Sequence, residues 1–152
     1  MPIITDAEIF AKKEYKKNDL FHQYNHVEEV MNRAIEIAKY FHSIDTEALK
    51  LAIIFHDIDY SSYENHPVAS ALVAEKFLKA HNYPQRKIMK VKEIILNHST
   101  PHRRLMGEAR LLEGKIIYDA DKSIFMTNKK AFKKYFPLLY LKETKGLIPK
   151  IY

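Results

Sequence analysis

His56 and Asp57 stand side by side at the end of an unbroken apolar run, Leu51-Ala52-Ile53-Ile54-Phe55. Carrying an imidazole and a carboxylate into a hydrophobic interior is costly unless they are paired or bind a cation. Both are competent metal ligands, and other segments carry a His or Asp on their apolar stripe. The chemistry on offer is that of a divalent-metal site inside a helical bundle.

Each candidate can be set against the periodicity of its own segment. His26 precedes Val30, Ala34, Ile37 and Phe41 at offsets close to multiples of 3.6, so it points where the core residues point. His66 leads Ala69, Val73 and Phe77 in the same manner, and His98 follows Ile88, Val91 and Ile95. Asp121 falls on the stripe of Ile117, Ala120, Ile124 and Phe125. Asp119 lines up instead with Leu112, Ile116, Lys122 and Met126, a mixed stripe. Taken singly, each has a plainer explanation. A His on an apolar face is commonly a satisfied core or capping residue, and His98 would interact favourably with its helix dipole. His66 reads equally as a loop residue before its helix, and Asp119 as a partner orienting a ligand or as a polar helix residue. His22, His42, His81 and His102 read as surface or loop histidines, His22 and His102 being the two able to lie near the site. Such explanations do not account for inward His and Asp residues recurring on five segments.

The elements that must position these groups are helical. Three glycines and six prolines in 152 residues leave little material for hairpins, and apolar residues recur at three and four. The spacing predicts a polar first helix from Asp6 to about Lys17 and a second from about Asn25 to Phe41. Asp45 or Thr46 caps a third, apolar nearly all round from Ala48 to Phe55 and hence central. A fourth starts near His66-Pro67 and runs to Ala80, where Asn82-Tyr83-Pro84 breaks it. A fifth covers Gln85 to Asn97, Ser99 to Gly107 reads as an irregular connection, and further helices cover Ile116 to Met126 and Lys129 to Tyr135. The fold class expected is all-α, a multi-helix bundle in one domain over residues 1–152.

Composition narrows the chemistry. The chain has no cysteine, which excludes disulfides, thiolate zinc sites and a cysteine nucleophile. A metal must therefore be held by imidazole and carboxylate, which suits Mn, Fe, Ni, Co or Zn, with Mg possible at carboxylates. No stretch approaches 18 apolar residues and no leader pattern opens the chain, so no membrane partner and a cytoplasmic location are expected. The net charge of +6 favours anionic partners such as nucleotides or phosphate esters. The lysine runs Lys12, Lys13, Lys16, Lys17 and Lys129, Lys130, Lys133, Lys134 read as solvated helix faces. A nucleic-acid partner is disfavoured, for the chain has no recognition motif and such a role leaves the inward histidines unexplained.

The ordered set His26, His56-Asp57, His66, His98, Asp121 resembles the HD superfamily of metal-dependent phosphohydrolases, defined by a His, a His-Asp dipeptide and a later Asp on an all-helical core. The local contexts agree: Asn25-His26-Val27-Glu28-Glu29-Val30, Ile54-Phe55-His56-Asp57-Ile58, Asn65-His66-Pro67-Val68-Ala69, Leu96-Asn97-His98 and Tyr118-Asp119-Ala120-Asp121-Lys122. The motif-bearing core spans residues 22–126. The resemblance implies His26, His56, Asp57 and Asp121 as metal ligands, for one divalent ion with room for a second. It implies that His66 and His98 bind phosphate or that second ion. His22, one helical turn before His26, competes for the first ligand position.

The function that follows is hydrolysis of a phosphate ester of a nucleotide or other small phosphorylated metabolite. A bound metal lowers the pKa of water towards 7 and polarises a phosphoryl oxygen. The catalytic residues expected are Asp57, which also orients the attacking water, His66, His98 and Lys122, with Arg103 or Arg104 as further sources of positive charge. A metal- or nucleotide-binding sensor module of the same fold, without turnover, is the alternative.

Overall fold

The computed structural model describes residues 2–148. Among these it contains nine α-helices and no strand, as the all-α reading requires. The helices are α1 (Pro2–Glu14), α2 (Tyr24–Ala38), α3 (Thr46–Phe55), α4 (His66–Ala80), α5 (Gln85–Asn97), α6 (Thr100–Met106), α7 (Leu112–Ile124), α8 (Lys129–Tyr135) and α9 (Lys142–Leu147). Single 3₁₀ turns follow α1 at Tyr15–Lys17 and α8 at Phe136–Leu138.

Helix α3 is the axis of the bundle. Asp45 caps it by accepting a hydrogen bond from the Ala48 amide at 3.0 Å, and Leu49 and Leu51 to Phe55 are all buried. Each such Leu, Ile or Phe contributes roughly 1.5–3 kcal/mol on leaving water, which explains why a helix whose polar residues are confined to Thr46, Glu47 and Lys50 stays at the centre. Helices α1, α2, α4, α5 and α7 all pack on it. Helix α2 turns His26, Val27, Val30, Ala34 and Ile37 inward, the spacing of one helical stripe. Helix α5 does the same with Ile88, Val91, Ile94 and Ile95. Helix α7 is buried nearly all round and lies against α2 and α5. Its approach to α5 needs Gly114, where a Cβ would stand 2.1 Å from Asn97 Oδ1.

Helices α4, α5 and α8 have the limits that the spacing predicts. Other limits differ. The first helix begins at Pro2, not Asp6, and buries a stripe of Ala7, Ala11 and Tyr15 rather than being polar throughout. Helix α2 ends at Ala38, three residues before Phe41, and α7 runs from Leu112 to Ile124 rather than from Ile116 to Met126. The largest correction concerns Ser99 to Gly107, which is not irregular. Ser99 caps α6 by accepting from the His102 amide, Pro101 occupies its first turn, and Gly107 ends it at φ +91°. Those capping signals stand in the sequence, but the segment has no apolar stripe to draw attention to them.

Beyond α7 the chain is anchored by Asp119. Its carboxylate accepts hydrogen bonds from the amides of Tyr140 and Leu141 at 2.8 and 2.9 Å and from the Thr144 hydroxyl at 2.7 Å. These bonds fold the segment of α8, the second 3₁₀ turn and α9 back over the end of the bundle.

Candidate metal centre

The inward stripes of α2 and α7 and the end of α3 converge at one point. His26, His56, Asp57 and Asp121 are all buried, and each offers one ligand atom within 4.8 Å of the others. Asp57 belongs to a second group of the same kind with His66 from the start of α4 and His98 from the end of α5. Its two oxygens face opposite ways. Oδ2 lies 3.3 Å from His56 Nε2 and 3.5 Å from His26 Nε2, whereas Oδ1 lies 3.3 Å from His66 Nε2 and 3.2 Å from His98 Nε2.

The imidazoles are oriented by their own backbone. The Nδ1 atoms of His56, His66 and His98 each lie within hydrogen-bonding distance of the carbonyl three residues earlier, those of Ile53, Tyr63 and Ile95. A carbonyl only accepts, so each Nδ1 carries a proton and each ring, once deprotonated at Nε2, presents a lone pair there to the centre. This is the arrangement by which a second bond fixes the tautomer of a metal-ligating His. His56 Nε2 and Asp57 Oδ1 are buried without a hydrogen-bond partner among the described residues. Orphaned buried polar atoms are rare and costly in folded proteins. Imidazole nitrogens and two carboxylates gathered in one buried cluster fit a divalent cation with nitrogen and oxygen ligands.

The charges of the metal-free cluster are strongly coupled. Burial lowers the pKa of His56, but Asp57 and Asp121 outweigh it and hold the imidazole at about 10. Burial lowers His98 to about 4, and the neighbouring His56 and His66 add to that against Asp57. For Asp57, burial works upward, yet the charge of His56 and the close Nε2 atoms of His66 and His98 hold it well below the usual carboxylate range. Asp121 is held down likewise, against burial, chiefly by Lys122 and by His26 and His56. Lys122 is itself buried and donates from Nζ to Asp121 Oδ2 at 3.0 Å and to the His98 carbonyl at 2.9 Å. It ties α7 to the end of α5 and balances one of the two carboxylates.

The remaining sequence candidates fall in different places. Asp119 is fully buried but belongs to neither group; the mixed stripe that held it faces the C-terminal segment. His22 does not compete with His26. Its Nδ1 lies 2.8 Å from Asp19 Oδ1, its ring stacks on Tyr60 with centroids 3.5 Å apart, and it lines the cavity over the centre. His102 lines a separate cleft between α5, α6 and the connection from α6 to α7, and His42 is on the surface. His81 ends α4 against Phe77. Arg103 is not free for an anion. It donates to the Leu138 carbonyl at 2.7 Å and lies over the Tyr140 ring at 4.1 Å. Arg104 lines the cavity instead.

Two positioning residues escaped the sequence reading. The Tyr15 hydroxyl donates to the Ile54 carbonyl at 2.7 Å and accepts from the Asp57 amide at 3.2 Å. Asn18 Nδ2 donates to the carbonyls of Asp57 at 2.8 Å and His22 at 3.0 Å. Together they fasten the His-Asp dipeptide to the end of α1. The only signal in the sequence was the register of Tyr15 with Ala7 and Ala11, four residues apart.

No helix among the described residues is long and apolar enough to cross a membrane. No curated protein and no solved structure matches the chain. The HD domain family matches residues 24–126, from the start of α2 to just beyond α7, and every residue of both ligand groups lies in that span. The chain therefore belongs to the HD domain family, a superfamily made up mostly of metal-dependent hydrolases.

Proposed function

We propose that the protein is a metal-dependent phosphohydrolase that cleaves a phosphate ester of a nucleotide or other small phosphorylated metabolite. In this reading His26, His56, Asp57 and Asp121 hold a divalent ion, and Asp57, His66 and His98 hold a second ion or the phosphate itself. The observation that carries it is the opposed disposition of the Asp57 oxygens, one toward each group of imidazoles. When bound, the metal supplies Lewis-acid polarisation of the phosphoryl group and lowers the pKa of water.

The protein's own residues do the rest. Asp57, which lines the cavity, also orients the attacking water. Lys122, held against Asp121, keeps positive charge beside the phosphoryl oxygens where negative charge develops. His22, held by Asp19 at Nδ1 on the cavity wall, hydrogen-bonds the departing group.

The test pairs elemental analysis of the purified protein with a panel of nucleotides, sugar phosphates and p-nitrophenyl phosphate. Metal content together with turnover, both lost in Asp57→Ala, is the expected result. An Asp57→Ala protein that keeps its metal and its phosphatase activity overturns the reading.

A further inference from the structure

The cavity above the cluster has a volume of about 190 Å³. It is small beside the roughly 300–1,000 Å³ typical of clefts for drug-sized ligands. Only two carboxylates line it, Asp57 and Asp121, and both are engaged by the imidazoles or Lys122. The cations are distributed otherwise. Lys122 is buried on the floor, whereas Arg104 from α6 and Lys134 from α8 are exposed and line the same cavity. Neither of these two has a carboxylate partner among the described residues. Around the neighbouring cleft Lys90, Lys92 and Arg110 are paired with Asp45, Glu75 and Glu93, whereas Arg86 and Lys87 are in no ion pair among the described residues.

The placement of this pair is built rather than incidental. Arg103, next to Arg104, binds the Leu138 carbonyl and lies over Tyr140, which fixes α6 to the segment that follows α8. Asp119 holds that segment from beneath through Tyr140 and Leu141. Lys134 belongs to a part of the chain beyond residues 24–126, so it lies outside the stretch that carries the family likeness.

We infer that Arg104 and Lys134 form a subsite for a second anionic group, and that the substrate is a compact phosphate ester carrying a further phosphate or carboxylate close to the scissile phosphate. The inference rests on the phosphohydrolase reading for the group at the metal centre, and for the second on two cavity-lining cations without a carboxylate partner, of which Lys134 lies 5.1 Å over the Tyr135 ring. Two exposed cations sharing one anion favour the doubly charged ligand by about tenfold.

Binding is measured by calorimetry on the metal-loaded protein and by competition against p-nitrophenyl phosphate. Two pairs of probes serve: fructose 1,6-bisphosphate against fructose 6-phosphate, and 3-phosphoglycerate against glycerol 3-phosphate. The first pair isolates a second phosphate and the second pair a carboxylate. The expected result is a preference of about tenfold for the doubly anionic member of at least one pair. That ratio falls to about one in Arg104→Met and in Lys134→Met, and survives in Lys133→Met, whose side chain is on the same helix but not in the cavity lining. Equal binding within both pairs, or a preference that both variants retain, overturns the subsite. Turnover of phosphate esters without any such preference leaves the hydrolase reading standing and removes the subsite. A calorimetric preference without turnover does the reverse.

Discussion

The Nε2 atoms of His66 and His98 face each other across 2.9 Å, with each Nδ1 already committed to a backbone carbonyl. Two neutral rings in that tautomer bring lone pair against lone pair, so a proton or a cation between them is required. Asp57 Oδ1, at 3.2–3.3 Å from both nitrogens, completes the demand for positive charge. If a metal ion meets it, the wild-type protein binds two equivalents of Mn²⁺ or Zn²⁺. His98→Ala then binds one, held by His26, His56, Asp57 and Asp121. Calorimetric titration of the metal-stripped proteins counts the equivalents; an unchanged stoichiometry in His98→Ala assigns the pair to phosphate instead.

The two shifted histidines predict a pH profile for the metal-free protein. His56 has its pKa raised to about 10, so the stability it contributes is complete below about 6.5, the unfolded value, and is lost as pH rises through 10. His98 has its pKa lowered to about 4, so the unfolded chain takes up a proton that the folded one refuses and stability falls as pH drops from about 6.5 towards 4. Asp57 and Asp121, held low, add further loss in acid. Urea denaturation of chelator-treated protein is expected to show a maximum near pH 6.5. Metal competes with the proton on His56, so affinity rises by up to about tenfold per pH unit from pH 7, and a profile of metal affinity flat over that range would refute the assignment.

Tyr15 joins the end of α3 to the Asp57 amide through a single buried hydroxyl. Tyr15→Phe keeps the ring but leaves the Ile54 carbonyl and the Asp57 amide without it, at an expected cost of about 1–3 kcal/mol. The same change loosens Asp57, so metal affinity falls with the helices intact. Thermal denaturation and metal titration with circular dichroism separate the two effects.

Asp119 accepts three hydrogen bonds that hold the C-terminal segment. Asp119→Ala leaves two backbone amides and a hydroxyl unpaired, and about 3 kcal/mol of stability goes with them. Because Asp119 is in neither ligand group, metal stoichiometry is unchanged. Limited proteolysis is expected to cut between residues 126 and 140 faster than in the wild type. Loss of metal with no change in proteolysis would place Asp119 at the centre after all.

By itself the sequence determined the helical class, the central place of α3 and the inward direction of His26, His56, His66, His98 and Asp121. Each of these follows from periodicity along one segment, where the 3.6-residue repeat ties burial to spacing. The likeness of motif order supplied the family. Periodicity says nothing about what lies across a helix interface, and there the tertiary structure decided. Only the packing of α2, α3, α4 and α5 shows that Asp57 turns its two oxygens to separate sets of imidazoles. Only the fold of the C-terminal segment shows that Asp119 is an anchor and that Lys134 shares a wall with Arg104. Tyr15 and Asn18 act on Asp57 from some forty residues away. Contacts at such separations depend on how faces meet in three dimensions, which no local pattern encodes.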